Sequence, residues 1–175
     1  MTGRIFGPVA VLAFVLAGTP LFPPASDAGA PGETGKVVRV ADGDTVTIAA
    51  RGGRKVNVRL YGIDAPEVRH RETPGQAYGR QARQALKALT IGRNVRVEVV
   101  DVDTHGRSVG IVFAGDLDVN LAMVRSGWAW AYRRHLSAPY ASEFIDAERT
   151  ARARRLGLWQ DANPMPPWEF RRRTR

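Results

Sequence analysis

The sequence predicts a mainly β domain with helices, an α+β fold: a small five-stranded barrel with about three helices packed around it. Three observations predict this. Residues Lys55 to Tyr61 alternate, with Val56, Val58 and Leu60 on one face and Lys55, Asn57, Arg59 and Tyr61 on the other. The early strands are joined by turns too short for a crossover, the mark of an antiparallel meander. The order of elements is three strands, helix, two strands, then helices, which suits helices packed on a closed sheet.

Composition agrees with one or at most two domains in 175 residues. A hydrophobic fraction of 44% supplies a core. The absence of cysteine excludes a disulfide framework, a thiol nucleophile, cysteine-ligated zinc and a cysteine-linked lipid anchor. The net charge is +9, carried by 23 Arg and 3 Lys against 17 acids. Arginine matches phosphate with two donors at once, so anionic partners are indicated. Charge alone leaves nucleic acid, a membrane surface and other polyanions open.

Along the chain, Met1 to Ala30 reads as a secretory signal. Arg4 begins it, an apolar stretch follows to about Phe22, and Ala28-Gly29-Ala30 forms a small-x-small cleavage site. The unbroken apolar core, Val9 to Ala17, is shorter than the ~20 residues of a membrane helix. Cleavage after Ala30 leaves Pro31 to Arg175, exported and without stable membrane insertion. Residues 31–35 read as a linker, 36–160 as the folded domain and 161–175 as a Pro- and Arg-rich tail.

Strands are expected at Lys36–Val40 and Thr45–Ala49 around the turn Ala41-Asp42-Gly43-Asp44, then at Lys55–Tyr61 after the turn Arg51-Gly52-Gly53-Arg54. A polar loop follows from Gly62 to Gly75. Gln76 to Leu89 has helical spacing, with Tyr78, Ala82, Ala85, Leu86 and Leu89 on one face. Asn94–Val102 and Ser108–Phe113 read as strands. Val119–Ser126 and Ser142–Leu156 read as helices stopped at Gly127 and Gly157. Trp128, Trp130 and Tyr132 alternate as in an extended segment, the tryptophans expected in packing, and Trp159 as a plug beneath the last helix. Asn163 to Phe170 is too proline-rich for helix or strand and is expected to wrap the body with Trp168 docked. A ligand for a proline-recognising domain is the alternative for that stretch. The four arginines at 171, 172, 173 and 175 lie outside the predicted site, available for steering.

In so basic a chain, clustered acids stand out. Asp42 and Asp44 flank Gly43; Asp64 and Glu67 stand three apart after the third strand. Each motif alone is an ordinary turn. If the first and third strands lie near each other, the two loops bring three or four carboxylates together as oxygen donors suited to a hard cation such as Ca2+. Arg59 and Arg107 complete a set that phosphoryl transfer requires: positive charge around the phosphate, a cation site and a carboxylate for the water.

These segments resemble the staphylococcal nuclease (thermonuclease) family. The resemblance runs through Val40-Ala41-Asp42-Gly43-Asp44-Thr45, Val58-Arg59-Leu60, Gly62-Ile63-Asp64-Ala65-Pro66-Glu67, Asp103-x-His105-Gly106-Arg107, Val119-Asn120-x-Ala122-Met123-Val124-x-x-Gly127 and Gly157-Leu158-Trp159. It implies an OB-fold barrel with three helices and Ca2+-dependent hydrolysis of DNA and RNA phosphodiesters, leaving 3′-phosphates, by a monomer. By the same resemblance, Asp44, Asp64 and the Ala65 carbonyl would ligate Ca2+, with Asp42 in support. Glu67 would act on the attacking water, and Arg59 and Arg107 would bind the scissile phosphate. Thr104 and His105 replace residues that contact a terminal phosphate in the best-known member, and Tyr132 roughly matches a base-stacking tyrosine. Ala65 replaces a threonine, a neutral change where a main-chain carbonyl is the ligand. The alternative from another class is a secreted module that binds nucleic acid or another polyanion without cutting it. Retention of Asp44, Arg59, Asp64, Glu67 and Arg107 together favours the enzyme.

Overall fold

The computed structural model describes residues 32–69 and 74–174. The signal expected at Met1–Ala30 lies outside the described residues, as do His70 and Arg71 of the loop. Strands β1 (Gly32–Val40), β2 (Thr45–Ala50) and β3 (Lys55–Leu60) form the antiparallel meander. Gly52 and Gly53, at φ 74° and 77°, make the turn between β2 and β3, a region open to glycine without a Cβ penalty. Strand β4 (Ile63–Asp64) follows at once, within the expected loop. Strands β5 (Asn94–Val102) and β6 (Ser108–Ala114) pair antiparallel, and β7 (Leu117–Asp118) turns back on β6.

Two pairings turn this ribbon into a barrel. Strand β1 pairs with β5, and β6 lies parallel to β3 with Val58 opposite Ser108 and Leu60 opposite Gly110. The circuit β1-β2-β3-β6-β5 is closed, so its five strands present no free edge. The inward residues Val46, Ile48, Val58, Leu60 and Ile111 are all almost wholly buried.

Among the described residues four helices pack outside the barrel: α1 (Gly79–Thr90), α2 (Val119–Arg125), α3 (Ala141–Ala153) and α4 (Pro167–Arg173). Helix α1 buries Ala82 and Leu86; α2, capped by Asp118 on the Leu121 N–H at 2.9 Å, buries five of its seven residues. Its buried Asn120 donates to the carbonyls of Tyr61 and Gly110 at 3.0 Å each and accepts from the Val112 N–H at 3.0 Å. One satisfied amide therefore ties α2 to β6 and to the end of β3. A second apolar cluster, of Trp130, Ala151, Leu158 and Trp159, is joined by Trp168. Trp130 belongs to the two-residue strand β8 (Trp130–Ala131), which pairs with β4. No helix among the described residues is long and apolar enough to cross a membrane.

Three expectations are corrected. Gly32–Gly35 is not a linker but the first part of β1, paired along β5 from Glu98 to Val95; nine-residue β5 needs a partner for its backbone groups on that side. Helix α1 begins at Gly79 rather than Gln76, because Tyr78 takes φ 66° and the preceding residues form a turn. The proline segment ends in helix α4, giving four helices rather than three. Pro167 sits in its first turn, where a missing N–H costs nothing and the ring presets φ.

Candidate active site

The site forms where the β1–β2 turn, strand β3, strand β4 and the segment after it meet. The turn is closed by the Ala41 N–H donating to the Thr45 carbonyl and the Asp44 N–H donating to the Asp42 carboxylate at 3.2 Å. Asp42 thus shapes the turn that carries Asp44. Gly43 is required there by close approach: a Cβ would stand 2.6 Å from that of Ala65 and 2.8 Å from that of Ala82. The turn can therefore press against both α1 and the start of the next loop.

Asp44 is buried, with one oxygen accepting from the Thr45 hydroxyl at 3.0 Å and the other from the Ala65 N–H at 3.0 Å. Across the β2–β3 ladder Arg59 lies opposite Thr45, on the face away from the barrel core. Its guanidinium pairs with Asp44, and Nη2 donates to Asp64 at 3.1 Å and to the Ile63 carbonyl at 3.3 Å. Asp64 is fully buried at the β4–β8 pairing. One arginine thus joins two buried carboxylates drawn from separate strands.

Glu67 lies three residues beyond Asp64, held through its backbone. Its N–H donates to the Gln76 side-chain oxygen at 3.2 Å, and its carbonyl accepts from the Gln76 N–H at 2.9 Å. Its carboxylate receives Nη1 of Arg171 at 2.7 Å. The same guanidinium donates to both oxygens of Asp64, at 3.1 and 2.8 Å. Hydrogen bonding to Asp64 foremost, and the charges of Asp64 and Glu67, raise the Arg171 pKa above its ordinary value despite partial burial.

Arg107 lies on the neighbouring strand's entry, one residue before the β3–β6 pairing begins. It does not join the acidic group: its Nε donates to Asp103 at 2.7 Å, and its N–H to the other Asp103 oxygen at 3.0 Å. Its two Nη atoms make no hydrogen bond among the described residues. Burial pushes the Asp103 carboxyl up, but hydrogen bonds from Arg107 and the His105 N–H outweigh this and hold it below the usual carboxylate range. Thr104 and His105 are exposed on the same turn, and the Thr104 hydroxyl lies 3.5 Å from Nδ1 of His105. Tyr132 is half-buried, its ring stacked on Trp168 at 5.4 Å between centroids and 18° between planes.

The structure gathers Asp44, Asp64, Glu67 and Arg59, keeps Ala65 bonded to Asp44, and sets Arg107 apart on its own carboxylate. Among the described residues no three His, Asp or Glu side chains form a metal cage. The donor chemistry nonetheless fits a hard cation: two buried carboxylates, oxygen only, whose charge is met by the guanidinium groups of Arg59 and Arg171. Beside Glu67 an open groove of about 850 Å³ is lined by Arg69, Arg80 and Arg83.

Sequence reasoning missed Arg171 and Gln76. The signal for Arg171 was a proline pair able to start a helix. That helix sets Trp168 and Arg171, three residues apart, on one face.

The family described as staphylococcal nuclease homologue matches residues 57–161. The chain belongs to the staphylococcal nuclease family. Within this family it is 40% identical over 150 residues to a micrococcal nuclease of Shigella flexneri, covering 81% of this chain and 82% of that one. It is 41% identical over 149 residues to Protein ParB of Escherichia coli, covering 80% of each chain. An uncharacterized endonuclease of Haemophilus influenzae is 35% identical over 142 residues, 81% of this chain and 75% of its own. As a member of the staphylococcal nuclease family, the chain is a phosphodiester-hydrolysing nuclease.

Proposed function

We propose that this nuclease is exported, requires Ca2+ and cleaves both DNA and RNA with low sequence selectivity, leaving 3′-phosphates. The observation that carries the reading is the Arg59 guanidinium joining buried Asp44 and Asp64, with Glu67 adjacent. Asp44, Asp64 and the Ala65 carbonyl would hold Ca2+, with Asp42 supporting the turn. When bound, Ca2+ supplies positive charge against the phosphoryl oxygens.

The chain's own groups do the rest. Glu67 accepts or orients a proton of the attacking water, whose oxygen forms the new bond to phosphorus. The P–O bond to the 5′ oxygen breaks, that oxygen leaves with the bonding pair and takes a proton from solvent water to become a hydroxyl, and the phosphate stays on the 3′ side. Arg59 and the unbonded Nη atoms of Arg107 hold the charge that grows on the phosphoryl oxygens. Thr104 and His105 lie beside Arg107 for contact with a further phosphate, and Tyr132 offers a ring for base stacking. The basic groove of Arg69, Arg80 and Arg83 suits backbone contacts that carry no sequence information.

Export rests on Met1–Ala30. Cleavage after Ala30 would leave the barrel whole, since β1 begins at Gly32. Protein recovered from the medium or periplasm should begin at Pro31 and elute as a monomer. The deciding experiment incubates Pro31–Arg175 with single-stranded DNA and with RNA, in Ca2+ or a chelator, at stated salt. Ca2+-dependent cleavage of both supports the reading; binding without cleavage would leave a nucleic-acid-binding module instead.

A further inference from the structure

The last helix occupies the site. Its Arg171 spans Asp64 and Glu67 with three hydrogen bonds, and its Trp168 lies flat on Tyr132. Upstream, the Met165 carbonyl accepts from the Gln76 side chain, the same amide that clasps the Glu67 backbone. Trp168 also meets Trp130 edge-on at 6.3 Å, in the strand paired with Asp64. Three contacts of different chemistry thus seat one segment across the cleft. The contacts are matched to what the site would otherwise hold. A delocalised cation lies on two carboxylates, and an aromatic plane lies on a tyrosine ring.

We propose that the C-terminal segment Met165–Arg173 is an intramolecular occupant of the active site, Arg171 standing in for the divalent cation and Trp168 for a stacked base. The proposal rests on the cation reading given above. A divalent ion on Asp64 competes with the Arg171 guanidinium, which takes both Asp64 oxygens, whereas Arg59 takes one of them and is also held by Asp44 and the Ile63 carbonyl. Binding the ion therefore releases Arg171, and Trp168, fixed to it on one helical face, loosens with it. The apparent ion affinity is lowered by the fraction of molecules in which the segment is seated. The segment is held by the ion pair, the Tyr132 stack, the Gln76 hydrogen bond and the packing of Trp168 at the edge of the Trp130 cluster, and of its helix only Pro167 is buried, which suits a reversible contact. Arg171 is 33% exposed in its side chain, so solvent can replace its partners as it leaves.

The test compares Pro31–Arg175 with its Arg171→Gln variant in calorimetric titrations with CaCl2, without nucleic acid. The variant should bind Ca2+ roughly tenfold tighter, the effect of removing one charge-assisted competitor. Equal affinity, or weaker binding by the variant, overturns the proposal, the second result making Arg171 a positioning residue for the ion. A second measurement needs no variant: amide hydrogen exchange with and without CaCl2. The Glu169 and Phe170 N–H groups, both bonded to the Pro166 carbonyl at 3.0 Å, should exchange faster with Ca2+. Unchanged or slower exchange overturns release of the helix. If neither protein binds Ca2+, the cation reading falls and the proposal with it. If both bind equally, only the occupant proposal falls.

Discussion

Gly79, the first residue of α1, lies directly against the main chain of Glu67: a Cβ on Gly79 would stand 2.7 Å from the Glu67 carbonyl carbon. The helix start and the candidate catalytic carboxylate are therefore positioned by one contact. Gly79→Ala should destabilise the fold by about 1–3 kcal/mol through overpacking, and should lower turnover by displacing Glu67. Urea denaturation and steady-state cleavage check both effects. An unchanged kcat would mean that Glu67 is positioned by Gln76 alone.

Glu67→Gln keeps the size of the side chain and removes the proton acceptor. Turnover should fall by about 10²–10⁴-fold, while single-stranded DNA binding at fixed salt changes little. Arg107→Ala should also cost turnover more than binding. If binding falls as far as turnover, these residues make electrostatic contacts only.

The Asp103–Arg107 pair is pH-dependent with a definite sign. The folded Asp103 carboxyl titrates below its usual value because Arg107 and the His105 N–H stabilise the charged form more than burial opposes it. Its contribution to stability is then complete above the ordinary carboxylate pKa of about 4 and is lost as pH falls through the lowered folded value. Amide shifts of His105 and Arg107 should report that transition, and Asp103→Asn should abolish it. The same variant should reduce kcat, since the Arg107 fork loses its anchor.

Asn120→Ala would strand two buried backbone groups, the Tyr61 carbonyl and the Val112 N–H, and take one of two donors from the Gly110 carbonyl, which keeps the Tyr61 N–H. A loss of about 2–4 kcal/mol is expected, seen as a lower Tm. Because Asn120 touches no charged residue of the site, the surviving folded protein should keep its kcat.

The barrel strands were legible because alternation is local: Val56, Val58 and Leu60 disclose their common face within six residues. The acidic turns and the two motif arginines were legible as residue types at short spacing. The assembly of Asp44, Asp64 and Arg59 was only suggested, and the separate seat of Arg107 on Asp103 was not foreseen. Reading Asn163–Phe170 as non-helical counted its prolines but not their positions; a proline in the first turn starts a helix as readily as an internal one ends it.

By itself the sequence determined the strand and helix periods, the turns, the family motifs and the excess of arginine, because each is written in neighbouring residues. Tertiary structure alone decided three things: the parallel closure of β6 on β3, the sharing of Arg59 between two buried carboxylates, and the place of Arg171. Arg171 meets Asp64 across 107 residues and Glu67 across 104. No local pattern marks a pair so far apart. The wrapping of the chain brings them together, and buried negative charge then selects among the arginines that the fold puts within reach.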